Sequence, residues 1–517
     1  MKSFQRIKNI NGRPYMYEIT PYYDKKTKTM RQRSKYIGPV KNGKLVEKPS
    51  LPKTTYEFGS LLPLFKIVDD LSLKEKLDQI VGEDSASKIL ILAMNKILRQ
   101  NSLDNIKEWY EDTYLCKLYP DLGLSSASLS EFLYRIGKSD IIDKFTEKLV
   151  KSLKIKDTVY FDLTSFSSQS RNIEYLEYGY SRDDDLPQVN VSLAASKEEG
   201  IPINYAMHPG SVVDLTTLDN AMNKYEAMGI KDILFILDRG FFTKPNLKRL
   251  IDSSYEFIIG ASYTFKEIKH QALMAKKDIE DARQMLRIEN NIIFYKAAKL
   301  SIYDQDLSLY VYYDIDREKD EKERFYLTLE ERMEKLKQRK IWRYERPEEI
   351  AKEVMGEYYN YISWSYNTSF EVTPKENAIS QRLNRCGITI LGYKGNYKPE
   401  EVLIWYRTRD EIEKMFLSLK SYLGAKPLRV QSKETLNSLL FVNFIALILM
   451  HKLLKIMLDS GLSKKYSVEK LFLELSKIRK IVLANGKEVT SEITKKQKEI
   501  IETLNITIDY VPKNPRV

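Results

Sequence analysis

Acidic side chains interrupt or end two strongly apolar stretches of the sequence, where a lone charge needs a partner. Asp162 breaks the run from Thr158 to Phe166, and Asp238 follows the run from Ile233 to Leu237. An unpaired buried carboxylate is costly, whereas a metal ion would balance its charge. Two such carboxylates and a glutamate can hold two Mg²⁺ ions, which activate a water or a 3′-hydroxyl in phosphoryl transfer. Hard oxygen ligands favour Mg²⁺ or Mn²⁺ over zinc.

The glutamate comes from the stretch between Tyr406 and Lys420, which contains no glycine or proline and is predicted to be one helix. At about 100° per residue, Arg409, Glu413 and Lys420 lie within roughly 60° of Tyr406, and Glu411 lies nearly opposite. The simpler interpretation is a solvated amphipathic helix in which Arg409 pairs with Glu413. The two strand aspartates favour a metal-binding site that includes Glu413 over this simpler interpretation.

Composition limits the classes of protein that fit. The 84 lysines and arginines exceed the 72 acidic residues, giving a net charge of +12. This excess favours a polyanion partner, although a modestly basic protein without one is as compatible with charge alone. Cys116 and Cys386 are far apart and form no CxxC or Cys/His cluster, so neither zinc binding nor a disulfide framework is expected. Three scattered histidines give little support to a Ser-His-Asp or Cys-His hydrolase.

No segment is expected to enter a membrane. The N-terminus is polar and basic, without the apolar core of a signal peptide. The longest apolar run, Leu439 to Met450, is shorter than the roughly 20 residues that span a bilayer. It is predicted to be a buried core helix, and the protein is expected in the cytoplasm.

The first 155 residues are predicted to form two regions. Residues 1–50 contain two alternating runs around Asp24-Lys25-Lys26, which predicts a β-hairpin. Its cations either bind phosphates or protect a sheet edge from aggregation, and both interpretations stay open. Residues 51–155 are predicted to be a helical domain, in which the pattern identifies no recognition helix.

The region from 156 to 265 is predicted to be the first part of an α/β RNase H-like catalytic core with a mixed five-stranded sheet and flanking helices. Asp162 and Asp238 would then lie side by side. The predicted strands are Thr158–Phe166, Gln188–Ala195, Ile201–Met207, Asp232–Asp238 and Tyr255–Gly260, with helices Asp214–Met228 and Thr243–Asp252 between them.

The core is predicted to be interrupted. Residues 266–385 are expected to be a β-rich insertion with a charged helix, and residues 386–430 the second part of the core, with the glutamate helix. Aromatic residues of the insertion could stack an unpaired base, but for any one of them, Trp342 and Trp364 included, the core is the favoured place. Residues 431–517 are expected to be helical, with helices Glu434–Leu458, Ser467–Leu483 and Ser491–Leu504.

The pattern Tyr406-x2-Arg409-x3-Glu413-x6-Lys420 resembles the signature of DDE transposases of the IS4 type, and the chain resembles their IS1634-like branch, encoded by bacterial insertion sequences. The similarity covers most of the chain. It extends to three further segments: Gly179–Asp183 with Pro187-Gln188, Gly200-Ile201-Pro202, and Asp238–Phe242. One departure is Gly210-Ser211, where relatives often have Gly-Asn.

The resemblance implies a metal-dependent endonuclease and strand transferase. Asp162, Asp238 and Glu413 would be catalytic and bind two Mg²⁺ ions, or Mn²⁺ as a substitute. A water would cut the DNA at the end of the element, and the freed 3′-hydroxyl would attack target DNA without a covalent enzyme intermediate. Phosphates would be held by four DNA-binding residues: Tyr406, Arg409, Lys420 and Arg239.

The resemblance also implies the partners. These are double-stranded DNA, as terminal inverted repeats bound by the helical domain and as target DNA, and a second copy of the chain in a homodimer. Two alternatives stay open. One is an RNase H-like nuclease that cuts without strand transfer, and the other is a domesticated DNA-binding derivative without catalysis.

Overall fold

The computed structural model describes residues 2–513 except 42, 46–50, 154–157, 168–169, 171–172, 174, 179–186, 212–213, 228–232, 289–290, 343 and 423–429. The Gly179–Asp183 motif therefore lies outside the described residues.

The strands of the described residues are β1 Phe4–Ile10, β2 Arg13–Asp24, β3 Thr29–Lys41, β4 Lys44–Leu45, β5 Pro52–Glu57, β6 Thr158–Ser167, β7 Gln188–Ser196, β8 Ile201–Pro209, β9 Leu234–Leu237, β10 Glu256–Gly260, β11 Met285–Ile288, β12 Asn291–Ile302, β13 Gln305–Asp314, β14 Ile362–Tyr366, β15 Phe370–Pro374, β16 Ile388–Lys394, β17 Arg479–Leu483 and β18 Glu488–Thr490.

The α-helices of the described residues are α1 Leu62–Asp70, α2 Leu73–Val81, α3 Glu83–Leu98, α4 Ile106–Asp112, α5 Leu115–Leu118, α6 Ser126–Gly137, α7 Ile141–Leu153, α8 Asp214–Ala227, α9 Lys244–Asp252, α10 Lys266–Asp278, α11 Ile315–Gln338, α12 Pro347–Met355, α13 Glu376–Leu383, α14 Pro399–Arg407, α15 Asp410–Leu417, α16 Lys433–Asp459, α17 Val468–Leu475 and α18 Lys495–Thr503.

Contacts within the chain divide it into two compact units. The first comprises Met1–Asp69, Asp104–Leu122 and Ile456–Val517, and the second Asp70–Leu103 and Gly123–Lys455. The first unit therefore combines segments from both ends of the chain. The finer division into six sequence regions stays a prediction.

The first unit contains two antiparallel sheets. The N-terminal one has the order β1-β2-β3-β4, so the predicted hairpin is the centre of a four-stranded sheet. The other has the order β18-β17-β5. The predicted helix Ser467–Leu483 is wrong after Leu475, because Arg479–Leu483 is strand β17. Its β-branched pair Ile481-Val482 suits a strand, and Gly486 supplies the positive φ of the turn to β18.

The second unit is built on a mixed sheet. Among the described residues its strands have the order β11-β12-β13-β16-β10-β9-β6-β7-β8. The three central strands, β10, β9 and β6, are parallel, and every other neighbouring pair is antiparallel. Aromatic and aliphatic side chains from these strands and from α8, α9 and α10 fill one continuous core, including Phe235, Tyr225 and Leu250.

The sheet has nine strands instead of the predicted five, because three strands of residues 266–385, β11, β12 and β13, extend it together with β16. β13 pairs with β16 from Ser308–Tyr393 to Tyr313–Ile388, and β16 continues onto β10. The rest of that segment has a core of its own, formed by α11, α12, α13 and the hairpin β14–β15 around Phe325, Leu329 and Ile362. One part of the segment therefore extends the sheet, and the other part forms a separate helical module.

Helix α16 is apolar on all sides. By length and composition it is the one helix of the described residues that passes as a membrane span, and 72% of its most apolar window is buried inside the protein. Phe441 and Phe444 pack edge-to-face on Phe145, and Phe444 also contacts Tyr205 of β8. This burial is that of a core helix, as predicted for Leu439–Met450.

Candidate active site

Asp162 and Asp238 lie at the same edge of two neighbouring parallel strands. Phe161 of β6 pairs with Leu237 of β9, so each aspartate follows one member of that pair. Asp162 is 9% exposed, and its Oδ1 accepts from the backbone N–H of Leu163 at 2.8 Å. Asp238 Oδ1 accepts from the N–H of Arg239 at 2.6 Å. The backbone thus holds both carboxylates in fixed directions.

The predicted helix from Tyr406 to Lys420 is divided into three parts. Helix α14 ends at Arg407, α15 begins at Asp410, and a π-helical turn follows from Ser418 to Tyr422. At the break, Thr408 Oγ1 donates to the carbonyl of Trp405 at 2.9 Å and also contacts the hydroxyl of Tyr160 on β6. This side-chain bonding competes with the helical pattern and fixes the break to the strand that carries Asp162.

Arg409 joins two of the predicted catalytic carboxylates. Its Nη1 lies 3.0 Å from Asp238 Oδ1, and its Nη2 donates to Glu413 Oε1 at 2.7 Å. The arginine side chain is 12% exposed and that of Glu413 is 53% exposed. Burial lowers the pKa of Arg409, but the neighbouring groups Asp238, Tyr406, Glu413 and Asp162 together outweigh it and the pKa is raised. The guanidinium is therefore the permanent counter-cation of this site.

Tyr406 lies beneath the same cation. The Arg409 guanidinium carbon is 5.5 Å from the centre of the tyrosine ring, and the hydroxyl lies where a Cβ on Gly260 would be. Only a glycine at the end of β10 permits this approach. Burial, reinforced by the charge of Asp238, raises the pKa of the Tyr406 hydroxyl. The hydroxyl consequently stays protonated and can donate to an oxygen atom brought into the site.

The remaining predicted DNA-binding residues lie farther out. Lys420 Nζ is 5.7 Å from the ring centre of Phe166, which is four residues beyond Asp162 on the same face of β6. Four strand residues span roughly 13 Å, and the contact with Phe166 places Lys420 along the same face of the strand that carries Asp162. Arg239 is exposed immediately after Asp238.

A second buried carboxylate near the site was missed by the sequence analysis. Asp314 ends β13, caps α11 by accepting from the N–H of Arg317 at 3.1 Å, and pairs with Arg407 at 2.6 Å. It follows an apolar strand just as Asp238 does, which was the available signal. Beside this pair, a cleft of about 570 Å³ runs from Tyr406 and Arg409 to the charged face of α11.

The two tryptophans of the insertion have different environments. Trp364 packs on Phe370, and its Nε1 donates to the hydroxyl of Tyr359 at 3.3 Å, which agrees with the core interpretation. Trp342 is 72% exposed in the segment between α11 and α12, so for this residue the core interpretation is wrong.

The carboxylates fit a divalent cation in chemical type, because all three offer hard oxygen atoms. Asp238 and Glu413 already converge on one positive group, Arg409. Among the residues that the structure describes, no three histidine, cysteine, aspartate or glutamate side chains are close enough together to hold an ion. An ion bound by Asp162, Asp238 and Glu413 would therefore have to compete with Arg409.

The sheet and the carboxylates on its neighbouring parallel strands, Asp162 within β6 and Asp238 directly after β9, define an α/β protein with an acidic, arginine-bridged site. Residues 152–449 match the family model described as the transposase DDE domain, and the chain belongs to this family. The family is one of DNA-cutting and DNA-joining enzymes that generally use divalent metal ions.

Comparisons with individual proteins add little to this assignment. No curated protein matches the chain. Among solved structures, the chain is similar to a piggyBac transposase, seen by cryo-electron microscopy in a synaptic complex with hairpin DNA. The two are 10% identical with a TM-score of 0.36, over 81% of this chain and 79% of the other. The family assignment rests on the matched domain, which covers more than half of the chain.

Proposed function

We propose that this chain is an RNase H-like DDE transposase of the IS4 type, which cuts DNA at the ends of an insertion sequence and joins the 3′-hydroxyl ends to target DNA. The observation that carries the proposal is Arg409 bridging Asp238 and Glu413 beside Asp162, in a chain of the DDE family. Three carboxylates and one arginine in this arrangement suit phosphoryl transfer, where catalysis is mainly positioning and charge stabilisation.

The proposed role of each residue follows from the chemistry of its side chain. Asp162, Asp238 and Glu413 would hold two Mg²⁺ or Mn²⁺ ions, which when bound supply a more acidic water and balance the charge of the reacting phosphate. Arg409, once free of the carboxylates, can bind a phosphate with two parallel N–H groups. Its buried Nε has no hydrogen-bond partner among the described residues and is ready to donate.

Three further residues contribute to the same surface. The protonated hydroxyl of Tyr406 can donate to a non-bridging phosphate oxygen, and Lys420 and Arg239 add charge along the DNA on either side. The DNA would be double-stranded, at the terminal inverted repeats and at the target. The active form is proposed to be a homodimer on paired ends, in the cytoplasm and on the nucleoid.

The test is cleavage of a labelled duplex that carries the end of the element, with Mg²⁺ or Mn²⁺, by the wild type, Glu413→Gln and Glu411→Gln. Glu411 is the matched control, because it is a glutamate on the same helix α15 and makes no ion pair with Arg409. We expect nicking at the end to fall by at least about a thousandfold in Glu413→Gln and to persist in Glu411→Gln. If the two variants cut the duplex equally well, Glu413 is not one of the catalytic carboxylates.

A strand-transfer assay separates the alternatives. Pre-cut ends with free 3′-hydroxyls, mixed with a supercoiled target, should yield joined products that depend on Asp162, Asp238 and Glu413. Cutting without joining would identify a nuclease. DNA binding without either reaction in the wild type would identify a domesticated derivative.

A further inference from the structure

The positive charge of the chain is concentrated in its N-terminal sheet. Residues 2–44 contain 12 of the 84 lysines and arginines but only two of the 72 acidic residues, so this segment carries +10 of the net charge of +12. Residues 51–155, predicted as the helical DNA-binding domain, contain 15 basic and 16 acidic residues. A protein that binds DNA needs cations for phosphates, and the helical region has no excess of them.

The centre of this sheet extends beyond its neighbours as a two-stranded ribbon. β1 pairs with β2 only from Arg13 to Ile19, and β4 pairs with β3 only at Val40 and Lys41. The β2–β3 pairing continues to Asp24 and Thr29 without a third strand. Every residue from 25 to 37 is exposed. We call residues 20–33 the N-terminal ribbon.

The N-terminal ribbon and the adjoining part of β3 arrange their cations in two groups. Lys25, Lys26 and Lys28 occupy the turn, and Arg31, Arg33 and Lys35 alternate along β3. The register places these last three on one face, opposite Tyr22, Thr20 and Glu18 respectively. The guanidinium of Arg33 is 5.8 Å from the ring centre of Tyr22 on this face. Alternate strand residues are about 6.6–6.8 Å apart, so the cations form a regular row.

We propose that the N-terminal ribbon binds duplex DNA by lying in its major groove, with the turn lysines on phosphates. The major groove admits a two-stranded β-ribbon, and the row of two arginines and one lysine on β3 presents donors to the acceptor edges of guanine. Arg31 Nε lies 3.3 Å from Asp24 Oδ2 in an ion pair, which leaves its terminal N–H groups for DNA. The inference rests on the proposed function, since it names the surface that holds the DNA. Protection of a sheet edge would explain cations on β3, but it would not require Lys25, Lys26 and Lys28, which lie in the turn.

The experiment measures binding of the full-length protein to a labelled duplex of the element's end by fluorescence anisotropy, in EDTA so that no cleavage occurs. The test variant is Lys25→Gln/Lys26→Gln/Lys28→Gln. The matched control is Lys495→Gln/Lys496→Gln/Lys498→Gln, which removes the same charge from exposed positions of α18 in the same unit.

We expect the turn variant to bind at least about tenfold more weakly, and its slope of log affinity against log salt to be smaller by about 2 to 3. The control should bind within about twofold of wild type. If the two variants bind alike, or if the turn variant loses affinity for single-stranded but not for duplex DNA, the proposal is overturned.

A second variant tests edge protection directly. Arg33→Glu keeps a charge on the exposed edge of β3 but repels phosphates. We expect weaker DNA binding and an unchanged elution volume in size-exclusion chromatography. Wild-type affinity in Arg33→Glu would leave edge protection as the role of the cations and overturn the ribbon proposal. Failure of the wild type to bind any duplex would instead refute the proposed function itself.

Discussion

At the scale of single residues, Arg409 is the side chain on which the site depends. It is the cation shared by Asp238 and Glu413, and it lies over the ring of Tyr406. Its removal leaves two acidic groups facing each other without a counter-charge. An arginine in this place therefore stabilises the metal-free site, and it would compete with a metal ion for the same oxygen atoms.

We predict that Arg409→Gln lowers the free energy of unfolding of the metal-free protein by about 1–2 kcal/mol, because both ion pairs are partly exposed. Mn²⁺ should then raise the melting temperature of the variant more than that of the wild type, since the ion no longer competes with the guanidinium. Thermal unfolding with and without Mn²⁺ measures both effects.

Arg407→Gln is the matched control for this prediction, because it removes a neighbouring arginine that pairs with Asp314 and not with Asp238 or Glu413. Its melting temperature should respond to Mn²⁺ as the wild type does. Equal responses of Arg409→Gln and wild type would show that the guanidinium does not occupy the ion's place.

Asp314 illustrates what the sequence predicts about a carboxylate near a strand and what it does not predict. A carboxylate within or directly after an apolar strand marks a charge that needs a partner at Asp162 and Asp238, and the same signal was available at Asp314. The partner itself is not encoded locally: Asp238 faces Arg409, whereas Asp314 faces Arg407, 93 positions away. The pattern predicts that a partner exists, and only the tertiary contact identifies it.

At the scale of elements, the single predicted helix from Tyr406 to Lys420 is wrong, but the predicted pair of Arg409 with Glu413 is confirmed. Arg409 and Glu413 pair as an i,i+4 wheel expects, although α15 starts only at Asp410. The break between α14 and α15 depends on the contact of Thr408 with Tyr160, which lies 248 residues earlier. The stretch contains no glycine or proline, so its helix propensity predicts one uninterrupted helix.

Two buried histidines give strand β8 and helix α16 a common pH dependence. His208 Nε2 is 3.0 Å from Ser192 Oγ, and His451 Nε2 is 3.3 Å from Ser418 Oγ. Each is 7% exposed. Burial lowers the pKa of both imidazoles to about 4. The unfolded chain, with a histidine pKa of about 6.5, thus binds more protons than the folded one between pH 6.5 and 4.

We predict that the free energy of unfolding falls as the pH is lowered from about 6.5 towards 4, with each histidine contributing on the order of 2 kcal/mol at pH 5. Chemical denaturation at pH 7.5 and at pH 5 measures the change. His208→Gln and His451→Gln should each lose less stability on acidification than the wild type. His270, whose side chain is exposed, provides the control substitution His270→Gln.

At the scale of the whole molecule, the sequence predicted the order of elements better than their grouping. The strands and helices between Thr158 and Gly260 agree with the predicted ones to within about two residues, the usual uncertainty of such boundaries. The sequence did not reveal that β12 and β13 continue the same sheet, because the pairing of β13 with β16 spans a segment of more than 70 residues. Pairings at such separations leave no periodic signal.

Two of the cores formed by described residues of the second unit can accordingly be separated by a matched pair of substitutions. Leu309 on β13 is fully buried in the core of the large sheet, and Leu329 on α11 is buried in the core of the helical module. Leu→Ala at either position removes the same atoms and should cost about 2–5 kcal/mol locally. The two substitutions should differ in which backbone amide hydrogens become accessible to solvent.

We predict that Leu329→Ala speeds amide hydrogen exchange in α11, α12, α13 and the hairpin β14–β15 and leaves the central strands β6, β9 and β10 protected. Leu309→Ala should speed exchange across the sheet, because its strand lies between β12 and β16. Mass spectrometry of exchange in both variants makes the comparison. If Leu329→Ala instead exposes β6 and β9 as much as Leu309→Ala does, the module and the sheet unfold as one cooperative body, and the carboxylates of the site depend on both cores.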